Sequence, residues 1–266
     1  MYIYYINMTL NVNPSWRLGN LECKHSPLLP KNIRGVVVGT SGSGKSHRVF
    51  NMILQPGFLD YNSLHIYSPS IYQNEYKFLV SGLKNRLSKE DMVVCLKNQE
   101  KLGITDPEKL AELYSESVPE NEKWQDIEVT TYKTASDIPQ PELLQKGRKH
   151  LLLFDDCMSG SQKTLENFYT RGRHNACNCL YITQSWFELP RRTIRSNANF
   201  LLLYPLSGRD LKQIYNDFSP ELEPCMNKID FCKFCQTCWA KPYGYVSIDR
   251  FNSDVKQRIR KGLDNN

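Results

Sequence analysis

Residues 39–46 read Gly-Thr-Ser-Gly-Ser-Gly-Lys-Ser, a G-x-x-x-x-G-K-S pattern whose residue types bind phosphate at this spacing. Gly39, Gly42 and Gly44 permit the loop conformations in which successive backbone N–H groups curl around phosphate oxygens. Thr40, Ser41 and Ser43 fill the positions between them and complete the cradle. Lys45 is placed to reach the β- and γ-phosphates of a nucleotide, and the Ser46 hydroxyl to bind Mg²⁺. About 110 residues later, Asp155 and Asp156 follow the apolar run Leu151–Phe154. Asp155 suits Mg²⁺, directly or through water, as the acidic partner of Ser46; Asp156 suits orienting or deprotonating an attacking water. Gln184 ends a further apolar run and can contact the terminal phosphate or its water as a sensor. The chemistry is that of a nucleoside triphosphate site.

These groups work only if strands deliver them to one edge of a sheet. Ile33 and Val36–Val38 form a β-branched run that predicts a buried strand before the loop, and His47–Leu54 a helix after it. Leu64–Tyr67, His150–Phe154, Asn178–Thr183, Asn199–Tyr204 and Tyr243–Ile248 read as further strands. Tyr72–Leu83, Pro107–Tyr114, residues 162–173 and Ser207–Phe218 read as helices, with Thr105 or Asp106 capping the second and another helix starting at Pro141. Strands alternating with helices predict an α/β fold with a mainly parallel sheet, whose ligands bind at the carboxyl ends of the strands.

Residues 1–32 lack periodicity and are read as an arm, with Trp16 and Leu18 packing on the core. Stacking on adenine is the alternative for Trp16. Residues 33–250 form the nucleotide-binding domain and 251–266 a basic tail. Within the domain, residues 85–148 carry 9 basic and 13 acidic side chains and look like an acidic insertion, Ser115–Lys123 being an exposed loop.

The net charge of +6 is therefore concentrated elsewhere, at Arg171–Arg195 and Arg250–Lys261, which suits a polyanion. No apolar run approaches a membrane span, and the start of the chain lacks the features of a secretion signal. Nine cysteines, an odd number, favour reduced thiols and a cytosolic, nuclear or virus-factory setting. Cys225, Cys232, Cys235 and Cys238 stand at C-x₆-C-x₂-C-x₂-C. Such thiolates can satisfy tetrahedral Zn²⁺, although the spacing is more compressed than in a zinc ribbon. The other reading is ordinary buried thiols.

The series GTSGSGKS, YNSLHIYSPS, LLLFDD, FYTRGRHNACNCLYITQSWFELPRRTIRSNANFLLLY and YGYVSIDR resembles the viral genome-packaging ATPases of poxviruses, virophages and Polinton/Maverick transposons. That resemblance implies the RecA-like, additional-strand division of P-loop ATPases, of FtsK/HerA type. Members work as homomeric rings that hydrolyse ATP with Mg²⁺ and drive double-stranded DNA into a capsid, with capsid or portal proteins as further partners. By matching position, Lys45 and Ser46 are Walker A, Asp155 and Asp156 Walker B, and Gln184 the sensor. An arginine of the RGRH series, Arg173 ahead of Arg171, is the implied finger acting across a subunit boundary, with Arg195 the alternative. Many relatives carry Glu where this chain has Asp156; the shorter side chain shifts weight onto Gln184. Another P-loop enzyme, such as a helicase or small-molecule kinase, and a non-catalytic nucleotide- or DNA-binding scaffold are the competing readings.

Overall fold

The structure is a computed structural model that describes residues 22–120, 123 and 127–263; Trp16 and Leu18 lie outside the described residues. Eight strands form one sheet in the order β3-β2-β4-β5-β1-β6-β7-β8. In chain order these are β1 (Arg34–Val38), β2 (Ser63–Tyr67), β3 (Glu128–Tyr132), β4 (His150–Asp155), β5 (Cys177–Thr183), β6 (Phe200–Leu203), β7 (Val246–Asp249) and β8 (Ile259–Lys261). The strands from β3 to β6 pair in parallel, and β7 and β8 add on antiparallel. β5 therefore stands between the strand that leads into the phosphate loop and the strand that ends in Asp155, which is the additional-strand arrangement.

The sheet is covered on both faces, so its central strands are apolar throughout rather than alternating. On one face Val37, Leu64, Ile66, Leu151, Leu153, Leu180 and Leu202 meet the core-facing sides of α1 (Lys45–Leu54) and α2 (Asn74–Lys84). Beyond these lie α3 (Lys89–Leu102) and α4 (Pro107–Ser117). On the other face Val36, Val38, Leu152, Phe154, Cys179, Tyr181 and Leu203 meet α5 (Lys163–Arg171), α6 (Gly208–Asp217), α7 (Ser219–Leu222) and α8 (Lys228–Trp239). Gly35 lets the strands and side chains close up here: a Cβ there would stand 2.5 Å from Leu180 Cδ2, which would have to shift.

Residues 85–148, read from the sequence as an insertion, contribute α3, α4 and β3, and β3 is hydrogen-bonded in register along β2. α3 and β3 carry no sequence signal strong enough to name them. α4 starts at its Asp106 cap but runs on to Ser117, and Ser115 is buried, so part of the expected exposed loop is helix. Pro141 opens only a single 3₁₀ turn, Pro141–Leu143.

The basic tail is also built into the molecule, because β8 pairs with β7. Its arginines, with Arg250 just before them, are spent on structure: Arg250 donates to Glu221 at 2.6 Å, Arg258 to the carbonyls of Asn252 and Glu221, and Arg260 to the Leu28 carbonyl. Among the described residues no helix is long and apolar enough to cross a membrane.

Candidate nucleotide site

The phosphate loop follows β1 without a break and ends where α1 begins. Gly44 caps α1 at φ 92°, in the left-handed region, with no side-chain cap and no acidic residue in the first turn. By contrast, Asp106, Ser207 and Asn227 cap α4, α6 and α8 with side-chain oxygens. The first N–H groups of α1 thus stay available, and with the helix dipole they favour an anion. Gly39 holds the base of the loop against β6: a Cβ there would stand 2.4 Å from Tyr204 Cβ.

Residues 41–47 open on a cavity of about 350 Å³, whose other wall comprises Ser70, Gln73, Asp155, Asp156 and Gln184. Lys45 is buried, and its Nζ donates to the carbonyls of Gly39 and Thr40 at 2.8 and 2.7 Å. Burial lowers its pKa, while Asp155 and Asp156 act the other way. An ammonium folded over the loop in this manner is one that bound phosphate oxygens can take over.

Asp155 ends β4, buried, and accepts a hydrogen bond from the Tyr76 hydroxyl of α2. Burial raises its pKa, the Tyr76 hydroxyl lowers it, Asp156 raises it, and Lys45 and Ser46 lower it. The net direction is upward, as for a carboxylate whose charge a cation would stabilise. Ser46 and Asp155 together present hard oxygen donors beside a phosphate cradle, and that donor chemistry fits Mg²⁺. Asp156 adopts φ 54°, which turns the chain at the end of β4 and leaves the side chain exposed at the cavity. Gln184 follows β5 and is likewise exposed there.

The arginines lie elsewhere. Parallel register pairs Arg34 with Cys179 and Val38 with Thr183, so the turn Gly172–Asn175, just before β5, sits at the sheet edge opposite the phosphate loop. The seven residues of β5 separate the two edges by roughly 20 Å. Arg171 and Arg173 therefore do not meet their own chain's loop. Arg171 is tied to Glu142 at 3.0 Å, whereas Arg173 is exposed, with Nε 3.3 Å from His174 Nε2. Arg195 is corrected as a finger candidate: it is buried, paired with Asp217 at 3.1 Å, and its guanidinium lies over Trp186.

The zinc expectation is also corrected. Cys232, Cys235 and Cys238 stand three residues apart along α8, so their thiols spread along a helix instead of converging as two knuckles would bring them. Cys235 and Cys238 are buried in the core, and Cys225 faces the carbonyls of Glu221 and Val255. Among the described residues, no three His, Cys, Asp or Glu side chains are grouped to hold a metal.

Sequence reasoning missed Tyr76, Ser70 and Gln73. Tyr76 falls in an apolar helical stripe that reads as core. The usable signal is the end of β2: Ser68–Gln73 follows a parallel strand next to β4 and so belongs to the same ligand-binding edge.

Neither a scan against protein-family models nor a search of curated proteins finds a match. Solved structures do match. The genome-packaging NTPase B204 from Sulfolobus turreted icosahedral virus 2, in complex with sulfate, is 13% identical, with 87% of this chain and 96% of that chain covered at TM-score 0.50. The same NTPase in complex with ATP-gammaS matches at 13% identity, 87% and 97% coverage and TM-score 0.47. VirB4 of Thermoanaerobacter pseudethanolicus matches at 10% identity, 84% and 88% coverage and TM-score 0.45. With its strand order and the placement of its phosphate loop, the chain has the fold of the FtsK/HerA-like P-loop ATPases.

Proposed function

We propose that this protein is an ATPase that couples hydrolysis to movement of double-stranded DNA, packaging a viral or transposon genome into a capsid as a homomeric ring. One observation carries the reading: an uncapped phosphate loop, the Asp155–Asp156 pair and Gln184 meet at a single cavity on an additional-strand sheet. The likeness in fold to a genome-packaging NTPase supports it.

In this reading the loop N–H groups and Lys45 hold the β- and γ-phosphates. Mg²⁺, held by Ser46 and Asp155, would neutralise charge on the terminal phosphates. Asp156 accepts the proton of the attacking water, and Gln184 orients that water. Arg173 of a second copy reaches the site across the subunit boundary, because its place at the far sheet edge bars it from its own loop.

The DNA surface is proposed on α6 and the turn before β6. Arg209, Lys212 and Asn216 recur at helical spacing on the outer side of α6, while Leu211, Ile214 and Tyr215 face the core. Arg191 and Arg192 stand exposed beside them, and Arg209 lies 4.3 Å over the ring of exposed Phe187. Such a stripe meets phosphates without reading bases.

The test is ATP turnover with and without long double-stranded DNA. DNA should raise the wild-type rate. Replacing Arg191, Arg192, Arg209 and Lys212 by Ala should remove that rise, spare DNA-free turnover, and reduce the salt dependence of DNA binding by about 0.9 in log–log slope per lost contact. Turnover indifferent to DNA would favour a kinase-like enzyme. Nucleotide binding without turnover would favour a scaffold.

A further inference from the structure

Tyr243 is one of several large apolar side chains left exposed among the described residues, and it stands against the phosphate loop. It precedes β7 with φ 57° and is 72% exposed. A bulky residue in the left-handed region is an outlier that surrounding structure must impose. Here the imposition is visible. The Gly244 N–H closes a turn onto the Lys241 carbonyl at 2.9 Å, and a Cβ at Gly244 would stand 2.0 Å from the Cys238 carbonyl oxygen. The turn is thus packed closely against the end of α8.

Its effect is to lay the Tyr243 ring against the phosphate loop. A Cβ built at Gly44 would be 3.0 Å from Tyr243 Cδ1 and 3.6 Å from its Cβ and Cγ. Behind it, Tyr245 stacks on Tyr204 with ring centroids 5.2 Å apart, and the Arg48 guanidinium lies 5.4 Å over Tyr245. One flank of the loop is therefore an aromatic wall with an exposed ring at its lip.

The sheet order places that wall. β5 and β4, which end at Gln184 and Asp155, lie on one side of β1; β6 and β7 lie on the other. A triphosphate whose terminal group faces the acidic side runs its nucleoside end toward β6 and β7. We propose that Tyr243 stacks the base of the bound nucleotide. The proposal rests on the nucleotide-site reading above. A ring face offers no edge hydrogen bonds, so this contact accepts adenine and guanine alike, and the base discrimination it provides is weak.

The experiment is calorimetric titration of the full chain with MgATP, MgGTP and inorganic tripolyphosphate with Mg²⁺. Tyr243→Ala should weaken both nucleotides about tenfold and leave tripolyphosphate binding unchanged, with Tyr243→Phe restoring nucleotide affinity. Unchanged ATP binding in Tyr243→Ala would overturn the proposal. So would an equal loss for tripolyphosphate, which would mean that the ring supports the loop and not the base. If the wild type binds tripolyphosphate but gains nothing from a base, the stacking fails and the phosphate site stands. If it binds none of the three, the nucleotide site fails and the stacking with it.

Discussion

The two flanks of the phosphate loop are built from different chemistry. Toward β4 and β5 the wall is acidic and polar, with Asp155 buried, Asp156 and Gln184 exposed, and the Tyr76 hydroxyl bonded to Asp155. Toward β6 and β7 it is aromatic, formed by Tyr204, Tyr245 and Tyr243. The first flank has the groups to handle a metal, a proton and a water; the second offers chiefly aromatic ring surface. Under the proposed function the difference divides the work, with rate assigned to the acidic flank and nucleoside affinity to the aromatic one.

The comparison breaks if damage to one flank has the other's signature. Asp156→Asn should give the largest effect, lowering kcat by about 10²–10⁴-fold while the dissociation constant for MgATP stays near wild type. Steady-state turnover and direct titration on the same preparation check it. A comparable loss of affinity would mean that the flanks are not separable.

A second prediction concerns acid acting through buried histidines on β2 and β4, away from the aromatic flank. His65 on β2 is buried, meets Ser63, Tyr132 and His150, and burial followed by the His150 charge lowers its pKa from 6.5 to about 4. The folded state therefore binds fewer protons than the unfolded chain between those values. Stability should be complete above 6.5 and lost as the pH falls through about 4, by about 3 kcal/mol. Burial lowers the His150 pKa as well, with the same sign. Denaturant midpoints across this range, compared with His65→Gln, should show the slope reduced in the variant. An unchanged slope would place the acid sensitivity elsewhere.

Gly39 joins the flanks, since it packs on Tyr204 and opens the loop. Gly39→Ala should cost about 1–3 kcal/mol of stability through overpacking, measured by thermal unfolding. Because the loop must shift off β6, it should weaken tripolyphosphate and ATP together, unlike Tyr243→Ala.

Much of the acidic flank was legible because its chemistry is local in sequence. Gly39–Ser46 is one unbroken series, and Asp155 and Asp156 follow four apolar residues that, about 110 positions beyond a phosphate loop, read as a buried strand. The aromatic flank was not legible, because Tyr243 meets Gly44 across a long chain separation through the antiparallel return of β7. Trp16, the aromatic that the sequence offered for adenine, lies outside the described residues. Charge misled in a similar way: Arg250, Arg258 and Arg260 look like a free basic tail, yet each donates to a carbonyl or to Glu221. β3 was hidden because Glu128–Tyr132 is polar, as suits a sheet edge. The helical cysteines show the remaining gap, since spacing alone does not distinguish a knuckle from a helix face.

The central claim is that the acidic flank is completed by a second copy. The most direct test is ATP turnover, in the presence of long double-stranded DNA, of Lys45→Ala and Arg173→Ala proteins alone and mixed. Each alone should lose about 10³-fold or more, with Arg173→Ala still binding MgATP. On mixing, some boundaries pair an intact loop with an intact Arg173, and turnover should partly return. Absence of any recovery, or an Arg173→Ala protein that turns over at the wild-type rate, would contradict the account.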